Sequence, residues 1–118
     1  MKIVDKQTFL KLPDQIIYSE FEGYNLKGLY VKLESRGTND WYYQDLIDEP
    51  LTPDDTGTDH FGFVIDMFDA HQTTGTSFDL DYECRRRDGL YDHDLSFSVY
   101  QQKDLDAHIA HLQKKANN

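Results

Sequence analysis

The sequence predicts an α+β domain, an antiparallel sheet of about five strands with helices packed on one face. Two observations carry that expectation. Short apolar runs with period-two alternation are separated by turn residues, and other segments carry helical spacing with caps. At 118 residues, with no internal repeat, long linker or low-complexity tract, the chain reads as one domain, 1–118.

The elements follow in order. Residues 5–12 predict a short helix that Asp5 caps, with Phe9, Leu10 and Leu12 as apolar positions and Pro13 as its stop. Ile16 to Phe21 is β-branched and aromatic, as a strand is, and Gly23 to Asn25 supplies a turn. Leu29, Val31 and Leu33 alternate with Tyr30, Lys32 and Glu34, a half-buried strand. After a second turn over 36–40, Trp41 to Ile47 reads as the third strand of an antiparallel meander. Residues 48–58 read as an acidic loop with Pro50, Pro53 and Gly57.

The next segment fits two patterns. Phe61, Val64, Ile65 and Phe68 have helical spacing, whereas Phe61, Phe63, Ile65 and Met67 alternate. The length of the run and the capping residues Thr58 and Asp59 favour a helix over 59–71, against Gly62. Phe78, Leu80 and Tyr82 alternate with Asp79, Asp81 and Glu83, and Leu95, Phe97 and Val99 alternate again, giving two more strands. Leu105, His108, Ile109 and Leu112 form one stripe of a last helix, acidic at its start and basic at Lys114 and Lys115.

Charge is distributed unevenly. Residues 37–83 hold twelve carboxylates and no Lys or Arg, while each flanking segment carries six bases and five acids, so the net charge of −10 sits in the middle. Eight Tyr and seven Phe argue against a disordered acidic chain, which is poor in aromatics. Such a charge disfavours DNA, RNA or an anionic membrane as direct partners, because phosphate binding depends on Lys and Arg. It favours basic surfaces. The single cysteine, Cys84, closes no intrachain disulfide, the N-terminus has no apolar signal core, and no segment approaches the roughly 18 apolar residues of a membrane span. The expectation is a soluble cytoplasmic protein.

Few residues carry a chemical signature. On a strand, Asp79, Asp81 and Glu83 share one face about 6.6 Å apart. This is either a solvated sheet face or a ladder of charge that imitates a polynucleotide backbone and docks on a basic cleft. Asp45, Asp48, Glu49, Asp54 and Asp55 form a second candidate patch, with Trp41 or Tyr43 as aromatic anchor. Arg85-Arg86-Arg87 either neutralises nearby acids or forms one side of a polar interface. Cys84 continues the phase of Leu80 and Tyr82, which predicts a buried thiol rather than one activated by the arginines. His108 and His111 share a helical face without an evident third ligand, and Asp92-His93-Asp94 points to alternate sides of an extended chain. No calcium loop, phosphate loop, nucleophile elbow or dinucleotide fingerprint occurs, so neither a metal nor a cofactor is expected.

Two stretches carry a resemblance. Met1-Lys2-Ile3-Val4-Asp5-Lys6-Gln7-Thr8-Phe9-Leu10-Lys11-Leu12-Pro13 is similar to the start of small acidic proteins of bacteriophages and prophages. Arg87-Asp88-Gly89-Leu90-Tyr91-Asp92, with its following strand and helix, is similar to their C-terminal part. The resemblance implies a host-cell context and no site residue. Combined with the acidic segment, it leads to the expectation of a non-enzymatic, protein-binding inhibitor of a host defence system, anti-CRISPR-like. Its partner would be the basic groove of a nucleic-acid-handling host complex. The alternatives are a small metal-dependent hydrolase using Asp92 and His93, and an acidic accessory or scaffold protein.

Overall fold

The computed structural model describes residues 1–47, 79–87 and 95–117. Its strands are Lys2–Asp5 (β1), Ile16–Glu22 (β2), Asn25–Arg36 (β3), Asp40–Asp45 (β4), Arg86–Arg87 (β5) and Ser96–Val99 (β6). They form one six-stranded sheet in the order β1-β6-β2-β3-β4-β5, and every pairing is antiparallel. Two helices accompany it among the described residues, Lys6–Leu10 (α1) and Gln102–Ala116 (α2). The α+β class is the one the sequence predicts. The helix expected over 59–71 and the loop at 48–58 lie outside the described residues.

β1 has no counterpart in the sequence reading. It pairs with β6, Lys2 opposite Val99 and Val4 opposite Phe97. Asp5 ends it and caps α1, its carboxylate accepting a hydrogen bond from the Thr8 N–H at 2.8 Å. Strand and helix therefore meet without a loop. The β2–β3 hairpin closes through Gly23-Tyr24, and Gly23 sits at φ 62°, the left-handed region that glycine enters without strain.

β3 contains two irregularities. Gly28 and Leu29 together oppose Ser19, and Leu33 and Glu34 together oppose Tyr42, so each is a bulge that shifts the alternation by one residue. Gly28 adopts φ 73°, and a Cβ there would run into the Tyr30 ring. Ser19 Oγ donates to the Gly28 carbonyl at 2.6 Å, fixing the first bulge.

The core lies between α1 and one face of the sheet. Phe9 is fully buried, stacks on Phe97 at 4.0 Å between ring centroids, and meets Tyr18 at 4.7 Å and Trp41 at 5.2 Å edge-on. Trp41 Nε1 donates to the Tyr18 hydroxyl at 2.9 Å, so both polar atoms are partnered inside the cluster. On β3 the residues facing this core are Tyr30 and Lys32, the latter only 1 % exposed. Lys32 reaches past Phe9 and donates to the Leu12 and Leu33 carbonyls, both at 3.0 Å. Ser35 Oγ donates to the Leu10 carbonyl at 2.6 Å. Carbonyls left without partners where α1 ends are thus taken up by β3 side chains.

α1 occupies the expected helical face, whereas α2 lies along the reverse one. Ile17 and Leu29 border α2, and Ile17 precedes the core residue Tyr18, so the two must point to opposite sides of β2.

Two outcomes follow from this core. Phe9→Ala is expected to cost about 3–5 kcal/mol, read as a lowered denaturation midpoint, because the ring contacts three other aromatics and leaves a cavity that a short helix cannot collapse. Burial pushes the Tyr18 and Tyr30 hydroxyls above their ordinary value of 10.0, offset at Tyr18 by the Trp41 hydrogen bond. A group whose folded pKa is raised stabilises the fold fully below its unfolded pKa, and that contribution is lost as pH rises beyond it. Burial instead lowers Lys32 from 10.5, so the cost of its charge is relieved up to that pH and acts in the opposite sense. Melting temperature should consequently fall with pH above about 10, and fall less steeply in Tyr18→Phe.

Candidate partner-binding surfaces

The described residues balance in charge. They contain all twelve Lys and Arg residues and twelve of the 22 Asp and Glu residues. The other ten acids lie in 48–78 and 88–94, so these two segments account for the entire net charge of −10. Asp48, Glu49, Asp54 and Asp55 are among them and lie outside the described residues, as do Asp92, His93 and Asp94. The first segment leaves β4 after Ile47 and returns at Asp79, and the second leaves β5 after Arg87.

The expected strand over 78–83 is not present among the described residues of that stretch. Residues 79–83 form a single bridge at Leu80 and a bend at Tyr82-Glu83, with the Glu83 N–H donating to the Asp81 carboxylate at 2.9 Å. Leu80 is 41 % and Tyr82 60 % exposed, so neither supplies an inward phase. A strand holds its acids on one face only when the alternate residues are buried or a neighbour pairs along its length. Here neither condition is met. Asp79, Asp81 and Glu83 are therefore not a strand ladder.

They are nevertheless brought toward Asp45. Arg87 pairs with Tyr42 and Arg86 with Tyr43, and Cys84 Sγ donates to the Asp45 carbonyl at 3.4 Å. Cys84 to Arg87 thus runs antiparallel beside β4, and Glu83, with Asp81 held to it by the 2.9 Å hydrogen bond, follows on past the end of β4 where 48–78 departs. Asp45 itself turns the chain there, its carboxylate accepting from the Ile47 N–H at 3.0 Å. Cys84 is buried, as the sequence predicts, but through its place beside β4 rather than through strand phase.

The aromatic anchor differs from expectation. Trp41 is 1 % exposed within the Phe9 cluster, and Tyr43 packs at its margin, edge-on to Tyr30 at 5.4 Å. An indole held there is not offered to a partner. Tyr42 takes the reverse face, where its hydroxyl accepts from Arg36 Nη1 at 2.8 Å and the Arg85 guanidinium lies 4.1 Å from its ring centroid. Arg85 pairs with Glu34, and Arg87 with the buried Asp40, whose other oxygen accepts from the Trp41 N–H at 2.8 Å. At least two arginines of the run neutralise acids of the sheet.

A second surface was not legible as such in the sequence. Between α2 and the reverse face lies a half-open groove of about 470 Å³, with Ile17, Leu29 and Leu46 on the sheet side and Leu105, Ile109 and Leu112 on α2. No residue of α2 is buried. The stripe predicted to seat this helix is present, yet Ile109 and Leu112 stay 51 % and 54 % exposed. His108 lines the groove, and among the described residues no three His, Cys, Asp or Glu side chains gather as metal ligands.

α2 is fixed at its start. Asp104 accepts from the Gln101 N–H at 2.9 Å and pairs with the Met1 amino group at 2.7 Å. Tyr100, just before the helix, shares a 2.7 Å hydrogen bond with Ser19.

The chain matches no protein-family model, no curated protein and no solved structure. Among the described residues no helix is long and apolar enough to cross a membrane. What the fold and surfaces define is an α+β scaffold of balanced charge among the described residues, with an apolar groove on its reverse face.

The N-terminal amine and then the Gln101 N–H hold the Asp104 carboxyl below its ordinary value of 3.8. Its contribution is present above that value and lost as pH falls through the lowered one. Acidification below pH 3.8 should speed amide exchange in the first turn of α2 before that of β2 and β3. In Asp104→Asn this selective acid response should disappear.

Proposed function

We propose that the protein is a non-enzymatic binding module whose carboxylates engage the basic, nucleic-acid-binding surface of another protein and so exclude DNA or RNA from it. The observation that carries this reading is the separation of charge from scaffold. All ten net negative charges belong to two segments that leave β4 and β5, and Asp81 and Glu83 are brought near Asp45 where the larger one departs. A sheet domain that needed acidity only for solubility would intersperse both signs across its surface. Concentrated carboxylate instead steers the domain toward a basic cleft and raises the association rate. The resemblance of residues 1–13 and 87–92 to small phage and prophage proteins supports a host defence complex as the partner, which makes the module an anti-CRISPR-like inhibitor.

The test is capture from a bacterial lysate on the immobilised protein at low and high salt, with double-stranded DNA as competitor. A nucleic-acid-handling protein that is retained at low salt, released at high salt and displaced by DNA is the expected result. Reversing Asp45, Asp81 and Glu83 to Lys together should weaken its retention about tenfold or more, with Asp48, Glu49, Asp54 and Asp55 adding to the effect. Recovery of the bait alone, or retention indifferent to salt and to both sets of reversals, would sink the reading.

A further inference from the structure

On the reading that the partner presents a basic surface, we propose that Tyr82 is the aromatic anchor of the contact. Its exposed ring receives the guanidinium of a partner arginine, and the carboxylate of Asp81 or Glu83 accepts that group's N–H donors.

The first ground is the idle ring. Tyr18, Tyr30 and Tyr43 share ring contacts in or beside the core, Tyr42 meets two arginines, and Tyr100 shares a hydrogen bond with Ser19. Tyr82 is 60 % exposed, and among the described residues its side chain makes neither a ring contact nor a hydrogen bond. Its backbone is nevertheless held. The Glu83 N–H is bonded to the Asp81 carboxylate across Tyr82, and Cys84, two residues on, is buried with its Sγ on the Asp45 carbonyl. A large ring carried on a fixed chain loses little freedom when it is covered, which is what makes tyrosine an effective anchor. Leu80, two residues before it, is exposed as well and extends the apolar surface of the same stretch.

The second ground is charge, which selects the occupant. Both sequence neighbours of Tyr82 are carboxylates, and among the described residues Asp45, Asp79, Asp81 and Glu83 enter no ion pair. Asp81 and Asp45 accept backbone N–H groups, bonds that orient a carboxylate and leave its charge uncompensated. A ring so flanked favours a cation, and arginine over lysine, because a guanidinium lies flat on an aromatic face while its N–H fork engages a carboxylate.

The chain already contains that arrangement once. Arg85 lies 4.1 Å from the Tyr42 ring centroid and pairs with Glu34, so ring, guanidinium and carboxylate are satisfied together. Tyr82 with Asp81 and Glu83 offers the ring and the carboxylates without the guanidinium. Tyr24 is the contrast. It is exposed at the β2–β3 turn, but Glu22, the acid closest to it in sequence, is paired with Lys27 at 2.7 Å.

Nuclear magnetic resonance titration of the full chain with an oligoarginine peptide tests this. The Tyr82 ring signals are expected to shift saturably while those of Tyr24 stay in place. Tyr82→Ala should weaken the affinity about tenfold with an unchanged circular dichroism spectrum, Tyr82→Phe should restore most of it, and Tyr24→Ala should change nothing. Because Tyr82→Ala removes no charge, the salt dependence of binding should stay as in the wild type, whereas Asp81→Lys with Glu83→Lys should flatten it. An oligolysine peptide of equal length should bind several-fold more weakly. Binding that the charge reversals weaken but Tyr82→Ala does not overturns the anchor alone, and the reading of a basic partner surface stands. A Tyr82 ring that does not shift, or equal affinity for the two peptides, overturns the proposal equally.

Discussion

The structure depends on one aromatic ring. Phe9 descends from a five-residue helix and touches residues from three strands that are far apart in sequence, Tyr18, Trp41 and Phe97. A helix so short has no stability of its own, because nucleation fixes several dihedrals for a single hydrogen bond. It persists because Asp5 caps one end while Lys32 and Ser35 bind carbonyls at the other. One of these side chains also lines the core. It is Lys32, whose stem packs beside Phe9 and whose ammonium finds two carbonyls.

The two faces of the sheet are consequently unequal. The α1 face is aromatic, and no buried side-chain polar atom among the described residues lacks a partner. The reverse face carries Ser19 and Ser98 beside Ile17 and Leu29, and meets a helix that is anchored at its start and buried nowhere. The closely packed core and the open apolar groove thus lie on opposite sides of one sheet.

Much of the fold was legible because local signals agreed with it. Asp5, Pro13, Gly23 and the Leu105–Leu112 stripe all marked real boundaries or faces. β3 shows where legibility stops. It runs from Asn25 to Arg36, yet regular alternation survives only between its two bulges, which is the Leu29–Leu33 window the sequence displays. Nor does alternation say which side is the core. Leu29 faces the groove while Tyr30 and Lys32 face Phe9, an assignment set by cross-strand partners that no single segment contains. The acids failed in the other direction. Asp79, Asp81 and Glu83 alternate perfectly, but without buried alternates the pattern builds no strand. The approach of Asp81 and Glu83 to Asp45 rests on the pairing of β4 with β5, across more than forty residues of chain.

The pairing of β1 with β6 has a mechanical side. Lys2 lies opposite Val99, and the Met1 amine is pinned to Asp104 just beyond, so the N-terminus and the root of α2 emerge together. Tension applied between Met1 and α2 would load the ion pair first and then part β1 from β6 rung by rung, as a zip opens, rather than shear the rungs simultaneously. Phe97, and through it Phe9, sits two rungs inside that seam. Such a pull reaches Phe97, and through it the ring that organises the core, only after the two outer rungs have parted.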